Sequence, residues 1–196
     1  MATITRRIGP ADHGQPLSFS AFLSAEFEDG WLYELARGVI DVTEVPGISH
    51  GRIVNRVSFL FLQYEEHHPE IIHYQSSGSG CRIRVPGMNS DRHPDYAVYL
   101  TPPPTGKQPW TRWVPDLVIE IVSKGGERRD YIEKREEYLQ IGVREYWILD
   151  PAKQELLVLR RAGDVWDEYV VPLDSVYQTP LLPGLEVRPL ALFGAA

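Results

Sequence analysis

Two carboxylates inside otherwise apolar runs are the residues of this sequence most suited to chemistry. Asp95 precedes the apolar run 96–100, and Glu120 lies within the apolar run 117–122. A carboxylate in a buried strand costs free energy unless it is paired, hydrogen-bonded or bound to a metal ion. Two carboxylates on neighbouring strands can share one Mg²⁺, which polarises a phosphate and lowers the pKa of a bound water. The pattern therefore indicates phosphodiester chemistry.

A structural role for each carboxylate is the competing interpretation. Asp95 can cap a turn after Pro94, and Glu120 can pair with an arginine. The spacing alone leaves both interpretations open. The backbone carbonyl of Ile121 is a further candidate metal ligand because it directly follows Glu120. For Asp116, at the start of the same apolar segment, a turn role is favoured.

The bulk composition limits the classes of function. The chain has 196 residues, of which 43% are hydrophobic and 24% charged, as expected for one globular domain with a core. Its net charge of −7 argues against a protein that coats nucleic acid by bulk electrostatics, but not against a metal-dependent nuclease. No apolar run approaches the length of a membrane span, and the single Cys81 cannot form an intrachain disulfide. We therefore expect a cytoplasmic protein with no membrane association.

The apolar patterns predict an α/β fold, with a mixed central sheet flanked by helices and an extra C-terminal β-hairpin. The run 114–122 is almost entirely apolar, which is typical of a central strand. A charged helical segment and another strand follow, so 114–150 is expected to form a unit with two parallel strands. The predicted strands are 31–36, 39–45, 81–85, 95–100, 114–122, 145–149, 155–160 and 165–171.

Three helices are expected beside this sheet. Ser18 is suited to cap a short helix, and Ser49 to cap a longer helix that ends at Pro69. The third helix is predicted over 127–140. Its predicted buried side consists of Tyr131, Ile132 and Leu139.

Several short motifs occur in order between residues 20 and 160. They are Tyr33-Glu34-Leu35 with Gly38, Ser49-His50, Pro94-Asp95, the run from Pro115 to Ser123, Asp130 with Lys134 and Tyr138, and the run from Gly142 to Pro151. Together they resemble the Uma-type restriction endonuclease family of the PD-(D/E)XK nuclease superfamily. The resemblance implies a restriction-endonuclease-like core that cleaves DNA with Mg²⁺ (or Mn²⁺). It also implies Asp95 and Glu120 as the metal-binding carboxylates.

One position departs from the superfamily pattern. The superfamily places a lysine two residues after the glutamate, on the same face of the strand, where this chain has Val122. Lys124 in the following loop and Lys134 on the next helix are the two candidate replacements. Lys134 is favoured because Asp130, Lys134 and Tyr138 recur every four residues and share one helix face. A surface ion pair between Asp130 and Lys134 is the alternative interpretation.

Three further residues are candidates for the site. Glu34 matches the acidic residue that often adds to the metal site in the superfamily, and a sheet-edge ion pair is its alternative. His50 at the start of a helix can contact an anion or a metal-bound water, although such a residue is commonly a cap or a surface group. Ser123 can orient Glu120 or contact phosphate, or it can simply bond local backbone.

Arginines precede Asp95 along the chain. Arginines at alternate positions of a strand share one face. They are expected either to contact phosphate oxygens or to protect an edge of the sheet. These residues are Arg82, Arg84 and Arg92.

The combined expectation is a metal-dependent endonuclease that hydrolyses DNA. It is expected to be a homodimer, because cleavage of both strands of a duplex calls for two active sites in a two-fold pair. We expect one domain over 1–196, with a nuclease-like core at 18–160 and a C-terminal hairpin strand and tail at 161–196. The alternatives are a catalytically impaired nucleic-acid-binding protein and an oligomeric interaction protein on the same fold.

Overall fold

The computed structural model describes residues 6–106 and 109–194 and contains short and long strands with four α-helices. The strands are β1 Arg7–Ile8, β2 Glu26–Phe27, β3 Trp31–Ala36, β4 Val39–Glu44, β5 Tyr74–Ser77, β6 Ile83–Val85, β7 Ser90–Arg92, β8 Tyr96–Tyr99, β9 Leu117–Ile121, β10 Glu145–Asp150, β11 Glu155–Ala162, β12 Val165–Val171, β13 Tyr177–Gln178 and β14 Glu186–Val187. The helices are α1 Phe19–Leu23, α2 Ile48–His67, α3 Lys134–Ile141 and α4 Pro189–Phe193.

A six-stranded mixed sheet in the order β12-β11-β10-β9-β8-β5 forms the centre of the fold. Strands β9 and β10 are parallel and every residue in them is buried, as predicted from their apolar runs. The hairpin β11–β12 extends the sheet beyond β10, which confirms the extra C-terminal hairpin. The expected mixed α/β architecture is therefore confirmed.

The two faces of the central sheet carry separate apolar clusters. On one face, Ile119 and Ile121 of β9 pack with Phe61 of α2, together with residues of α4. On the other face, Val118 packs with Tyr138 of α3. Alternation along β9 places Glu120 on the α3 side, because successive side chains point to opposite faces.

A second, four-stranded sheet in the order β4-β3-β7-β6 stands beside the central sheet. Strands β3 and β4 form the predicted hairpin, and β3 also pairs with β7 through Leu35 and Asp91. Strand β7 runs directly into the segment that carries Asp95. The second sheet thereby brings the β3 hairpin up to the start of β8.

The helix after β9 differs from the sequence prediction. The chain is helical from Glu127 to Ile141, but its segment Arg129–Glu133 is a π-helix with i→i+5 hydrogen bonds. Ile132 is 54% exposed, so its predicted burial was wrong. The buried side consists of Asp130, Lys134, Glu137 and Tyr138.

Helix α2 begins two residues earlier than predicted. Its first residue is Ile48 and its N-cap is Gly47, so Ser49 lies inside the helix and does not cap it. Ser18 does cap α1, since its side chain accepts a hydrogen bond from the backbone N–H of Ala21. No helix among the described residues is long and apolar enough to cross a bilayer.

One glycine at the end of a helix and one inside a helix provide a matched test of these boundaries. Gly142 ends α3 with φ of 96°, whereas Gly51 lies inside α2 with open space where a Cβ would be. Gly142→Ala is expected to destabilise the protein by about 1 kcal/mol, because a Cβ is strained at this φ. Gly51→Ala is expected to stabilise it by about 0.5–1 kcal/mol. Urea titration measures both, and the same sign for the two variants would contradict the assigned boundaries.

Candidate active site

Asp95 and Glu120 lie next to each other at one end of the β8–β9 pair. Tyr96 is the register partner of Ile119, so one further residue along, Asp95 comes opposite Glu120. The backbone N–H of Asp95 donates to Oε2 of Glu120 over 3.4 Å, and the N–H of Ile121 donates to Oδ2 of Asp95 over 2.7 Å. The two strands therefore bring both carboxylates to one place, as the sequence analysis expects.

Lys134 extends from the start of α3 into this pair of carboxylates. Its Nζ lies 2.9 Å from Oε1 of Glu120, 3.6 Å from Oε1 of Glu34 and 3.8 Å from Oδ1 of Asp130. The side chain is only 3% exposed, so the alternative of a surface ion pair with Asp130 was wrong. Tyr138, one turn further, donates its hydroxyl to Oε1 of Glu120 over 2.7 Å.

The other candidate amine lies elsewhere. Lys124 is exposed in the turn after β9, and Ser123 beside it is exposed too. Oγ of Ser123 accepts a 3.5 Å hydrogen bond from Arg129. Val122, where the superfamily has its lysine, is buried in the apolar cluster around Tyr138. Lys134 is therefore the amine that the fold brings to Glu120.

Glu34 reaches the same cluster from the second sheet. Its Oε1 accepts a 2.7 Å hydrogen bond from the backbone N–H of His93, and its Oε2 accepts one of 3.2 Å from Arg92. The side chain is 12% exposed and also pairs with Lys134. Glu34 is thus both part of an ion pair, as its alternative interpretation expects, and a neighbour of the central carboxylates.

His50 approaches Asp95 from the first turn of α2. Its Nε2 lies 3.1 Å from Oδ2 of Asp95, and its side chain is 13% exposed. Burial lowers the pKa of His50, but hydrogen bonding to Asp95 and to the backbone of Ile121 outweighs burial and raises it overall. His50 is therefore tied to the carboxylate cluster rather than free on the surface.

These side chains lie at the bottom of a cleft of about 670 Å³. One wall is the β3–β4 hairpin, and the other consists of the first turns of α2 and the segment 77–79. The charged lining residues at the bottom are Glu34, Asp95, Glu120, Arg129 and Lys134. A cleft with convergent polar groups at its base is the usual form of an active site.

A family model described as "Uma2: Putative restriction endonuclease" matches residues 19–192. The chain belongs to the Uma2 family. A solved structure from Anabaena variabilis, titled "a putative nuclease belonging to DUF820", has the same fold, with a TM-score of 0.72 at 18% sequence identity. That match covers 91% of this chain and 98% of the other. No curated protein matches the sequence significantly.

The electrostatics of the Uma2 site separate its two glutamates. Burial, reinforced by the neighbouring carboxylates, raises the pKa of Glu120 to about 8 in spite of Lys134. Burial also tends to raise the pKa of Glu34, but the positive charges of Lys134 and Arg92 outweigh burial and lower that pKa to about 2. Lys134 stays charged, because Glu120 and Glu34 raise its pKa against the effect of burial.

The donor chemistry of the site fits a hard divalent cation. Within the described ranges, no group of three or more His, Cys, Asp or Glu side chains forms a preassembled metal cluster. Mg²⁺ needs only one or two carboxylates, however, and takes its other ligands from water and phosphate. Asp95 and Glu120 supply two carboxylates. In addition, Oδ2 of Asp130 is buried without a hydrogen bond from the described residues. A divalent cation bound here would neutralise the carboxylate charge that the nearby cationic side chains leave unbalanced.

The sequence did not reveal that buried arginines hold the elements around the site together. Arg92 is fully buried, and its guanidinium binds both oxygens of Glu137 at 2.7 and 2.8 Å. Both roles considered for Arg92, contact with phosphate and protection of a sheet edge, were therefore wrong. Arg82 and Arg84 lie beside the buried Asp91, with Nε–Oδ distances of 2.6 and 3.5 Å. The only signal for Arg92 was its position three residues before Asp95.

Replacing Arg92 is expected to be among the most destabilising changes in this Uma2 protein. Arg92→Met removes the two-pronged contact to the fully buried Glu137 and leaves it only Ser90 and Arg37, which costs about 3–5 kcal/mol. Arg135→Met is the matched control, because Arg135 pairs with Glu168 at the surface and such a pair is worth less than about 1 kcal/mol. Denaturant unfolding measures both. Equal losses in the two variants would contradict a structural role specific to Arg92.

The two glutamates are expected to give opposite pH dependence of stability in the presence of a chelator. The folded-state pKa of Glu120 is raised, so its contribution is full below about pH 4.5 and is lost as the pH rises through about 8. The folded-state pKa of Glu34 is lowered, so its contribution is full above about pH 4.5 and is lost as the pH falls towards 2.

Thermal unfolding of Glu120→Gln and Glu34→Gln against pH tests this. Relative to wild type, Glu120→Gln should gain stability between pH 5 and 9. Glu34→Gln should be less stable at pH 7 and should approach wild type only as the pH falls towards 2. A pH-independent difference for either variant would mean that its carboxyl titrates normally.

Proposed function

We propose that this protein is a metal-dependent endonuclease that hydrolyses phosphodiester bonds of DNA. The observation that carries the proposal is the position of Lys134, whose Nζ lies within 3.6 Å of carboxylate oxygens of both Glu120 and Glu34. Helix α3 thus supplies an amine beside the carboxylate pair although the strand position holds Val122. Membership in a family described as restriction endonucleases supports the same activity.

Asp95 and Glu120 are the residues proposed to hold Mg²⁺ or Mn²⁺, with Glu34 as a further acidic group. The Ile121 carbonyl is a third oxygen, because the N–H and C=O of one strand residue face the same side and its N–H faces Asp95. A bound cation supplies charge neutralisation at the phosphate and lowers the pKa of the attacking water.

Lys134 is proposed to position that water and to stabilise the negative charge that develops on the phosphate. A charged amine suits this role because it donates hydrogen bonds and cannot accept them. Tyr138 and Asp130 act on the charged groups rather than on the substrate: Tyr138 donates to Glu120, and Asp130 lies beside Lys134. Glu34 holds the amine from the side of the second sheet.

His50 is proposed to orient Asp95. Its ring contacts Asp95 and the backbone of Ile121, the same groups that face the proposed cation. Lys124 and Ser123 are exposed at the rim of the site, where they suit contact with the substrate backbone rather than with the reacting atoms. Those contacts position a nucleic acid without reading its sequence.

The oligomeric state, the cellular compartment and the domain bounds are further parts of this proposal. The protein is proposed to act as a homodimer on DNA in a reducing cytoplasmic compartment, which suits its free, buried Cys81. It is proposed to form one domain, with the nuclease core at 18–160 and the hairpin strand and tail at 161–196. A catalytically impaired relative is the weaker alternative, because its main motivation was the absent strand lysine, and Lys134 provides an amine.

Cleavage of plasmid and of single-stranded circular DNA with Mg²⁺ or Mn²⁺ tests the proposal. Asp95→Asn, Glu120→Gln and Lys134→Met are each expected to lower the rate at least about 100-fold, since each removes a group that acts on the water or the phosphate. Lys153→Met is the matched control and should retain most of the activity, because Lys153 pairs with Asp150 and lies outside the cleft. Lys124→Met tests the loop amine and should lose much less activity than Lys134→Met. Calorimetry should show Mn²⁺ binding that is lost in Asp95→Asn.

One outcome would contradict this function, and another would contradict the role of Lys134. Absence of cleavage of both plasmid and single-stranded circular DNA by the wild type, with every divalent metal, would remove the catalytic claim. Equal cleavage by Lys134→Met and wild type, with loss in Lys124→Met, would assign the amine to the loop instead of the helix.

A further inference from the structure

The groups proposed to carry the chemistry are almost completely withdrawn from the protein surface. The side chains of Glu120 and Lys134 are 2% and 3% exposed, and Asp95 is 21% exposed. The phosphates of a DNA duplex lie on the outside of a stiff helix, and a helix must enter or bend to reach a recessed group. A single strand can fold its backbone into a narrow cleft. The depth of the site therefore favours an unpaired strand.

The cleft has an apolar half next to its charged base. Leu32 lies two residues before Glu34 on β3, so both side chains are on the same face of the hairpin. Leu32 is 44% exposed and Trp31 beside it is 37% exposed. Phe27 and Val54 line the same cleft. Trp31 and Leu32 are successive residues at the start of β3, and both line the cleft. Together with the partly buried Phe27 and Val54, they give the cleft an aromatic and aliphatic lining beside its charged base.

Basic groups lie on the other side of the cluster. Arg129 and Ser123 line this cleft and also a neighbouring depression, which contains Lys124 and Arg128. The Arg128 side chain is 82% exposed and pairs with Glu133 over 3.2 Å, and Lys124 is exposed. These cations suit a phosphate backbone that leaves the cleft, within a chain whose overall charge of −7 otherwise repels nucleic acid.

We propose that the substrate is single-stranded DNA, including an unpaired end or flap, and that the base next to the cleaved phosphate packs against Trp31 and Leu32. Every base has a flat face that an aromatic side chain can contact, so this subsite tolerates different sequences. The backbone then crosses the cluster and leaves over Lys124 and Arg128. This substrate class rests on the proposed nuclease function, but its binding half can be measured without cleavage.

The binding test uses fluorescence anisotropy of a labelled single-stranded DNA 15-mer, with Ca²⁺ in place of Mg²⁺. Trp31→Ala is expected to weaken binding roughly tenfold, whereas Trp31→Phe keeps an aromatic face and should stay within about threefold of wild type. Phe59→Ala is the matched control, because Phe59 is 61% exposed on α2 and lies outside the cleft. It should leave binding unchanged.

A duplex of the same sequence and a single-stranded RNA 15-mer complete the experiment. Binding to single-stranded DNA at least tenfold tighter than to duplex, lost in Trp31→Ala, supports the proposal even if no cleavage is found. Equal binding to duplex, an unaffected Trp31→Ala variant, or preference for RNA overturns it, and cleavage of duplex plasmid by the same protein would leave the nuclease function standing.

Discussion

The contact between Lys134 and Glu120 is the interaction on which the site depends. Both side chains are removed from water, and an unpaired charge there would cost several kcal/mol. The pair is possible because β9, a central strand, carries Glu120 near its end, and the helix after it contains a π segment, Arg129–Glu133, directly before Lys134. Any change in that segment would alter the position of the amine relative to both strands.

A buried network joins this pair to the second sheet. Arg92 at the end of β7 binds Glu137 of α3 on one side and Glu34 of β3 on the other. Glu34 in turn accepts a hydrogen bond from the backbone of His93, two residues before Asp95. The cleft floor is therefore built from both sheets and the helix, and none of the three could shift without separating the charged groups.

The sequence predicted the residues whose signal is local and missed those whose surroundings are set by distant pairing. Asp95 and Glu120 were visible as carboxylates in apolar runs, and the helical face of Lys134 followed from its four-residue spacing. The burial of Arg92 depends on Glu34, 58 positions away in the chain, and on the pairing of β3 with β7. Of the predicted buried side, Tyr131 and Leu139 do pack against the cluster around Tyr138, whereas Ile132 lies in the π segment and is exposed.

The presence of Val122 after β9 and of Lys134 on the helix has a physical consequence beyond chemistry. Val122 adds an apolar side chain to the cluster around Tyr138, on the face of β9 that a lysine stem would otherwise cross. Tyr138 occupies the same helix face as Lys134 and donates its hydroxyl to Glu120. The packing of α3 on the sheet thus also sets the position of the amine, because the same helix face supplies the apolar contact, the hydroxyl and the charge. A loss of packing between α3 and β9 should therefore displace the amine even when every charged residue is intact.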